Sequence, residues 1–317
     1  MENVKNKMKR ISFREYGVVL GFIALCIIIS IATPAFATQK NIFNLLRQSA
    51  IIGIISAGMT FVIISGNFDI SVGGIAAFSG AITMKLITSG VNVFWAMLAA
   101  LLICGVVGSI NGFAIAKVKI PSLIATMAMV GILKGAMLML TGGYPITKTI
   151  PFLDVLGNEY FAGIPIPVLI FAVTVIIANL VLTKTRFGRH VFSVGGNEEA
   201  SKLNGINVDA YKIKVFIINA MLAALAGIVL VGRMGTASPA AGDGYDMDAI
   251  ASVVIGGTSV AGGKGSALKT VIGVLMMSVI SNSFNLLGVH IYFQYIFKGL
   301  IILVAVGMDS YSKKNLA

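Results

Sequence analysis

The chain has 317 residues, of which 57% are hydrophobic and only 11% are charged, and its mean hydropathy is +0.95. Soluble domains carry about 25% charged residues, so this composition excludes an ordinary soluble protein and indicates a membrane protein. The formal net charge of +12 does not indicate a nucleic-acid partner, because apolar runs separate the basic residues and no basic patch carries interleaved aromatics.

Metal and disulfide chemistry is not predicted. Cys26 and Cys104 both lie inside apolar runs, which is typical of core-facing or lipid-facing thiols rather than of a disulfide or metal pair. The two histidines, His190 and His290, fall in different segments, and no His-Glu-x-x-His motif occurs. We therefore expect no metal site, no catalytic residue and no cofactor.

Ten apolar segments approach the length of about 20 residues that a membrane helix needs. In chain order they are 17–36, 48–65, 70–89, 92–115, 122–140, 167–183, 214–232, 249–261, 268–287 and 291–308. The eighth is short and follows a stretch rich in Gly and Asp, which predicts a broken or tilted helix. The first resembles a signal peptide, but its apolar stretch exceeds the usual 7–15 residues, which favours an uncleaved anchor. The segments predict an all-α, polytopic membrane protein with about ten transmembrane helices and one domain over 1–317.

The basic residues indicate the orientation, because cytoplasmic segments are enriched in Lys and Arg. With the N-terminus inside, about 17 basic residues fall in cytoplasmic segments and 4 fall outside. The inside set is Lys5, Lys7, Lys9, Arg10, Arg14, Lys117, Lys119, Lys184, Arg186, Arg189, Lys202, Lys212, Lys214, Lys264, Lys269, Lys313 and Lys314; the outside set is Lys40, Arg47, Lys148 and Arg233. The split predicts that the termini, 1–16 and 309–317, and the loop 184–214 are cytoplasmic.

A glycine-rich segment, 66–74, interrupts two apolar runs and places Asp69 at membrane depth. An ionisable group there costs roughly 2.5–3.5 kcal/mol on insertion scales, which indicates a function. Irregular backbone at this depth is tolerated only beside protein or a wet cavity, and a cavity in a polytopic protein indicates transport. Three roles stay open for Asp69: it caps the third span, it accepts hydrogen bonds from the transported solute, or it pairs with Lys134 or Lys298.

A second motif resembles this break. Residues 68–71 (FDIS) open the third span and 245–248 (YDMD) open the eighth, and paired glycines accompany both. The two motifs lie five spans apart, which predicts an inverted repeat of two five-helix halves, with chance similarity of short motifs as the alternative. The candidate translocation path comprises Asn67, Asp69, Ser71, Asp246 and Asp248.

The loop 184–214 contains a predicted short helix. Asn197 is a favourable N-cap, Glu198 and Glu199 suit the first turn, and Gly205 can end the helix. The helix is too polar for the membrane, so we interpret it as a docking element for a cytoplasmic protein, with a solvated connector as the alternative. The stretch 261–266 (AGGKGS) lacks the spacing of a phosphate-binding loop, so the energy source is expected on another chain or in an ion gradient.

These motifs together resemble the permease subunit of bacterial ABC importers for monosaccharides, the ribose, xylose, arabinose and galactoside branch, and most closely ribose permeases. The similarity covers about 41–309 and is carried by 44–48 (NLLRQ), 58–63 (GMTFVI), 69–73 (DISVG), 186–189 (RFGR), 195–200 (GGNEEA), 246–251 (DMDAIA), 256–259 (GGTS) and 285–288 (NLLG). Asn67-Phe68 departs from the Gly-Ile that this family usually has before the aspartate.

The resemblance implies a permease without its own ATPase, which moves a monosaccharide, ribose, across the cytoplasmic membrane by alternating access. It implies three protein partners: an ATP-binding subunit inside, a sugar-binding protein outside and a second permease copy. Lipid surrounds the complex and no nucleic acid takes part. The residues expected to couple to the ATPase are Gly196, Asn197, Glu198, Glu199, Ala200, Leu203 and Gly205. An ion-coupled secondary transporter of a small polar solute is the alternative.

Overall fold

The computed structural model describes residues 2–314, with side chains for 17–308 and for 311. Helices account for most of the chain. They are α1 (Glu2–Ala32), α2 (Gln39–Ile64), α3 (Val72–Thr88), α4 (Val93–Ala116), α5 (Ser122–Thr141), α6 (Pro151–Asn158), α7 (Ile166–Lys184), α8 (Arg186–Gly196), α9 (Glu198–Leu203), α10 (Val208–Met234), α11 (Tyr245–Ile255), α12 (Ala267–Leu286) and α13 (Ile291–Lys314). The all-α prediction is confirmed.

Seven of the described helices are long and apolar enough to cross a membrane: α2, α4, α5, α7, α10, α12 and α13. Two shorter apolar helices, residues 17–32 of α1 and all of α3, coincide with predicted spans one and three. Helix α11 has only 11 residues and ends at Ile255, where the sequence predicts a short or broken span. The count of about ten spans and the inverted repeat stay predictions.

Two helices form the centre of the bundle. In the most apolar 18-residue stretch of each helix, 89% of α2 and 72% of α10 are buried, whereas only 6% of α13 is buried. Hydroxyls inside α2 bond back to the preceding turn, as in Ser56 Oγ to Ile52 O at 2.8 Å, so they add no unpaired polar atom. The outer helices turn apolar side chains outward, as a lipid surface requires.

Small residues bring α4 and α10 together. A Cβ on Gly108 would lie 2.5 Å from the carbonyl oxygen of Phe216, and one on Gly112 would lie 2.7 Å from Cα of Ile213. Such backbone contact is how membrane helices gain packing energy without a hydrophobic driving force between them. Helix α10 therefore packs closely between α2, α3 and α4.

Two short strand pairings were not predicted. Strand β1 (Ile146–Thr147) pairs antiparallel with β4 (Thr236–Ala237), and β2 (Tyr160–Phe161) pairs with β3 (Ile164–Pro165). Strand β1 precedes α6 and strands β2 and β3 follow it, all between α5 and α7, whereas β4 follows α10. The sequence predicts both of these segments to be external. Two-residue strands give too short a pattern to detect in sequence.

Candidate functional site

The Asp69 carboxylate is fully buried and accepts three hydrogen bonds. Its Oδ1 accepts from the backbone N–H of Ser71 at 2.9 Å and from Ser71 Oγ at 2.5 Å, and its Oδ2 accepts from Asn219 Nδ2 of α10 at 2.8 Å. Asn111 of α4 extends the network by donating to Ser71 Oγ at 3.0 Å. The break before α3 is thereby fastened to α4 and α10.

Hydroxyls of α5 hold the backbone of the same break. The N–H of Phe68 donates to Ser122 Oγ and the N–H of Ile70 donates to Thr126 Oγ1, both at 3.2 Å. Ser122 and Thr126 are four residues apart and so share one helix face. Their hydroxyls replace the partners that irregular backbone cannot find in lipid.

The predicted path residues separate into three environments. Asn67, Asp69 and Ser71 are buried in the break, where Asn67 Nδ2 donates to Ser65 O at 3.0 Å. Asp248 lies elsewhere in the bundle, on α11, and Asp246 lines a cavity. The structure does not bring the five predicted residues to one surface, so their role in the path stays a proposal.

Asp248 forms a buried ion pair. Its two carboxylate oxygens both lie 2.8 Å from Lys298 Nζ of α13, and the Asp248 side chain is 4% exposed. The sequence offered Lys298 as a partner of Asp69, and the structure instead pairs it with Asp248. The pair connects α11 to a helix that otherwise buries little of its surface.

A cavity of about 250 Å³ lies between α3, α5 and the segment that precedes α11. Its polar lining is Lys134, Asp243 and Asp246, and its apolar lining includes Leu133 and Met137. The starts of α3 and α11 meet beside it, because a Cβ on Gly73 would overlap the carbonyl oxygen of Gly242.

Helix α9 has the cap that the sequence predicts. Asn197 Oδ1 accepts from the N–H of Ala200 at 2.9 Å, and Gly205 follows the helix with φ of 76°. Glu198 pairs with Lys202 at 3.1 Å and with Lys212 at 2.6 Å. Burial alone would raise the pKa of Glu198, but the hydrogen bonds and charges of the two lysines outweigh it and lower the pKa.

The lowered pKa of Glu198 determines how the stability of the fold depends on pH. A carboxylate whose folded pKa lies below its unfolded value stabilises the fold above the unfolded pKa, and this contribution is lost as the pH falls through the folded pKa. The salt bridges therefore hold α9 against α10 at neutral pH. The predicted coupling residues Gly196, Glu199, Ala200 and Leu203 are exposed at and around α9, Leu203 to 89%.

A junction of glycines joins this loop to the Asp69 break. A Cβ on Gly195 would overlap the carbonyl oxygen of Ile64, at the end of α2. The N–H of Gly263 donates to that same oxygen at 2.8 Å, and a Cβ on Gly262 would lie 2.9 Å from Cα of Gly66. Backbone therefore meets backbone where α8, the end of α2 and the α11–α12 turn converge.

Replacing Asp69 tests the network. In Asp69→Asn, the Asn219 amide can rotate so that its Oδ1, which has no partner among the described residues, accepts from the new amide. We expect near-normal yield and uptake. In Asp69→Ala, the Asn219 and Ser71 donors lose their acceptor at about 1–3 kcal/mol each, so yield and melting temperature should fall.

Uptake assays and detergent melting curves separate the roles of Asp69. Normal yield with strongly reduced uptake in Asp69→Asn would instead mean that the charge acts on the solute. If Asp69→Ala also left yield, melting temperature and uptake unchanged, the carboxylate would have no role in fold or function.

Sequence reasoning missed several participants of the site. Asn219 and Asn111 lie within predicted spans, and an amide inside an apolar run is a detectable signal. Ser122 and Thr126 resemble ordinary helix residues and give no such signal. The pairing of Lys298 with Asp248 depends on how α13 packs, which a single sequence does not contain.

The fold and the site define a polytopic membrane protein with an internal polar break and a cavity between helices, which is the class of membrane permeases. The chain belongs to the family described as branched-chain amino acid transport system / permease component, which matches residues 41–306. The family assignment and the seven apolar helices make it a multi-pass protein of the cytoplasmic membrane.

Named relatives cover nearly the whole chain. It is 43% identical to the ribose import permease protein RbsC of Bacillus subtilis (strain 168), over 97% of this chain and 98% of the relative. It is 36% identical to the L-arabinose transport system permease protein AraH of Escherichia coli (strain K12), over 95% and 92%, respectively. It is 32% identical to the xylose transport system permease protein XylH of Haemophilus influenzae, over 98% and 100%. No solved structure matches the chain. The resemblance seen in the motifs is confirmed.

Proposed function

We propose that this chain is the permease subunit of an ATP-driven importer that carries a monosaccharide, ribose, across the cytoplasmic membrane by alternating access. The observation that carries the proposal is the 43% identity to a ribose import permease over 97% of the chain. The identities to arabinose and xylose permeases are lower, which favours ribose among the sugars that the relatives' names give.

The proposed ATP-binding partner docks on the exposed surface of the α9 loop, which we define as Gly196, Asn197, Glu198, Glu199, Ala200, Leu203 and Gly205. Two observations support this site. The helix is capped and held by salt bridges, so it can transmit force without bending. Its leucine, Leu203, is 89% exposed, and an apolar side chain in that position suits a groove on a partner.

The glycine junction supports a route from this surface to the membrane interior. Because Gly195 and Gly263 both contact the carbonyl oxygen of Ile64, no flexible side chain separates the loop from the end of α2. A displacement of α8 and α9 is passed on to Gly66 and thus to the Asp69 break. The mechanism requires that ATP-driven movement of the partner reaches the polar residues beside α3.

The remaining partners follow from the same function. A sugar-binding protein delivers ribose at the outer face, and a second copy of this chain completes the permease core. The N- and C-terminal segments, 1–16 and 309–317, lie in the cytoplasm with the α9 loop. An ion-coupled transporter is the alternative, and its prediction differs: uptake by this chain alone, driven by a sodium or proton gradient.

Complementation tests the assignment. The gene for this chain, expressed in a bacterium that lacks its own ribose permease but keeps the ATPase and binding protein, should restore uptake of labelled ribose. If it does not, coexpression with the chain's own ATPase and binding protein excludes a simple mismatch of subunits. Failure of that complete set with ribose, while xylose or arabinose is taken up, would contradict the choice of sugar.

Single cysteines test the orientation, in a background that lacks Cys26 and Cys104. Glu159 follows α6 in the predicted external segment, Leu203 ends α9 in the predicted cytoplasmic loop, and both side chains are exposed. Expressed without the ATPase that is proposed to cover Leu203, Leu203→Cys should react with an impermeant reagent only after permeabilisation, whereas Glu159→Cys should react in intact cells. Labelling of both from outside would contradict the proposed topology.

A further inference from the structure

One face of α5 is open although it carries a lysine. Gly131, Lys134 and Gly135 share this face by their spacing, and open space lies beyond both glycines. Lys134 is exposed and precedes the helix end at Thr141 by seven residues, which is roughly 10 Å along the axis. A lysine that faces lipid at depth costs up to about 2.5–3.5 kcal/mol, so this face needs water or polar partners.

Polar partners lie in the adjoining cavity. Lys134 lines it together with Asp243 and Asp246, which belong to the segment that leads into α11. The ammonium group can only donate hydrogen bonds and the ionised carboxylates can only accept them. Leu133 and Met137 supply apolar surface next to these groups. The cavity thus offers donors, acceptors and an apolar wall within about 250 Å³.

This combination suits a small polyol. Each sugar hydroxyl both donates and accepts, and the C–H surface of the ring packs against apolar side chains. Drug-sized ligands occupy sites of about 300–1,000 Å³, and a monosaccharide, being smaller, fits a cavity just below that range. An inorganic anion suits the cavity poorly, because two carboxylates would repel it, and a lipid tail would leave the charged groups without partners.

We propose that this cavity is a transient binding site for a monosaccharide on its way through the permease, in which Lys134 donates to sugar hydroxyls and Asp246 accepts from them. The inference rests on the proposed function and adds to it the residues that contact the sugar. It moves the path away from Asn67, Asp69 and Ser71, whose polar atoms bond to other residues of the fold.

Water accessibility tests the site first. Lys134→Cys is made in the background without Cys26 and Cys104, assembled with the ATPase and binding protein, and treated with a charged methanethiosulfonate. The matched control is Ile132→Cys, two residues earlier on α5 and so about 200° around the helix, where the side chain is 62% exposed. The thiolate forms only where water reaches it, so we expect Lys134→Cys to react at least about tenfold faster than the control.

Reaction of Lys134→Cys should also block ribose uptake, and excess ribose during ATP-driven turnover should slow the reaction. Equal rates at the two positions would show that Lys134 faces lipid or a protein interface, and would overturn the proposal. If Lys134→Cys reacted fast but ribose did not slow the reaction, the cavity would hold water and no sugar, and the proposal would also be overturned.

Uptake kinetics give a second, independent test. The binding protein sets the sugar concentration for half-maximal uptake, so Lys134→Met and Asp246→Asn should leave that concentration unchanged. Each variant should lower the maximal rate about tenfold, because it loses one charged hydrogen bond to the sugar. Complex yield and ATP hydrolysis should stay normal. Unchanged maximal rates in both variants would overturn the site, whereas absence of ribose uptake in the unsubstituted complex would overturn the proposed function.

Discussion

Neutralising Asp248 alone, or Lys298 alone, is expected to destabilise the protein severely, whereas neutralising both should restore much of the loss. The two groups lie 2.8 Å apart with the Asp248 side chain only 4% exposed. Removing one partner leaves an uncompensated buried charge, at a cost of about 3–5 kcal/mol, but removing both leaves no charge to bury. The variants are Asp248→Asn, Lys298→Gln and the double variant, in which the two amides can bond to each other.

Yield of monodisperse protein in detergent and its melting temperature measure this effect. Lys85→Gln is the matched control, since that lysine lies at the end of α3 and is exposed. If the double variant were as unstable as the worse single variant, the pair would not be the source of the stability. If all three variants were stable but inactive, the pair would act in transport rather than in packing α13.

Placing a charge on the tip of α9 is expected to abolish docking of the ATPase. Leu203 is 89% exposed, so Leu203→Asp should leave the fold intact while removing an apolar anchor, which at such positions contributes about 2 kcal/mol or more. We expect at least about a 30-fold loss of affinity for the ATPase subunit, and loss of ribose uptake. Glu199→Lys, at the exposed first turn, should have the same direction of effect.

Glu198 is unsuitable for this test, because its salt bridges to Lys202 and Lys212 make any loss ambiguous between folding and docking. Lys148→Asp, on an exposed loop away from α9, is the control for added negative charge. Copurification of the ATPase with tagged permease measures the outcome. Normal copurification and uptake in both Leu203→Asp and Glu199→Lys would contradict the docking surface.

Local chemistry made part of this structure predictable. The cap at Asn197 and the glycine after α9 act within a few residues, so the short helix could be predicted from them. The break around Asp69 was likewise visible, because a carboxylate between two apolar runs is rare. Its contact with the Ser71 N–H is one of the three roles that the sequence left open.

Long-range packing accounts for what could not be predicted. Asn219 reaches Asp69 across 150 positions of sequence, and Lys298 reaches Asp248 across 50, so no periodicity records either contact. Helix α8 was missed because Gly188, Gly195 and Gly196 make a weak local helix signal. The structure shows why glycine occurs at 188 and 195: a Cβ at either would overlap backbone carbonyl oxygens.

Reconstitution tests the central claim most directly. The purified permease is placed in liposomes together with its ATPase subunit. The ribose-binding protein and labelled ribose are added on the outer side, and ATP is enclosed inside. The account predicts ribose accumulation that requires ATP hydrolysis and both partner proteins, and that disappears with Leu203→Asp. Accumulation by the permease alone under a sodium or proton gradient, with no dependence on ATP, would contradict it.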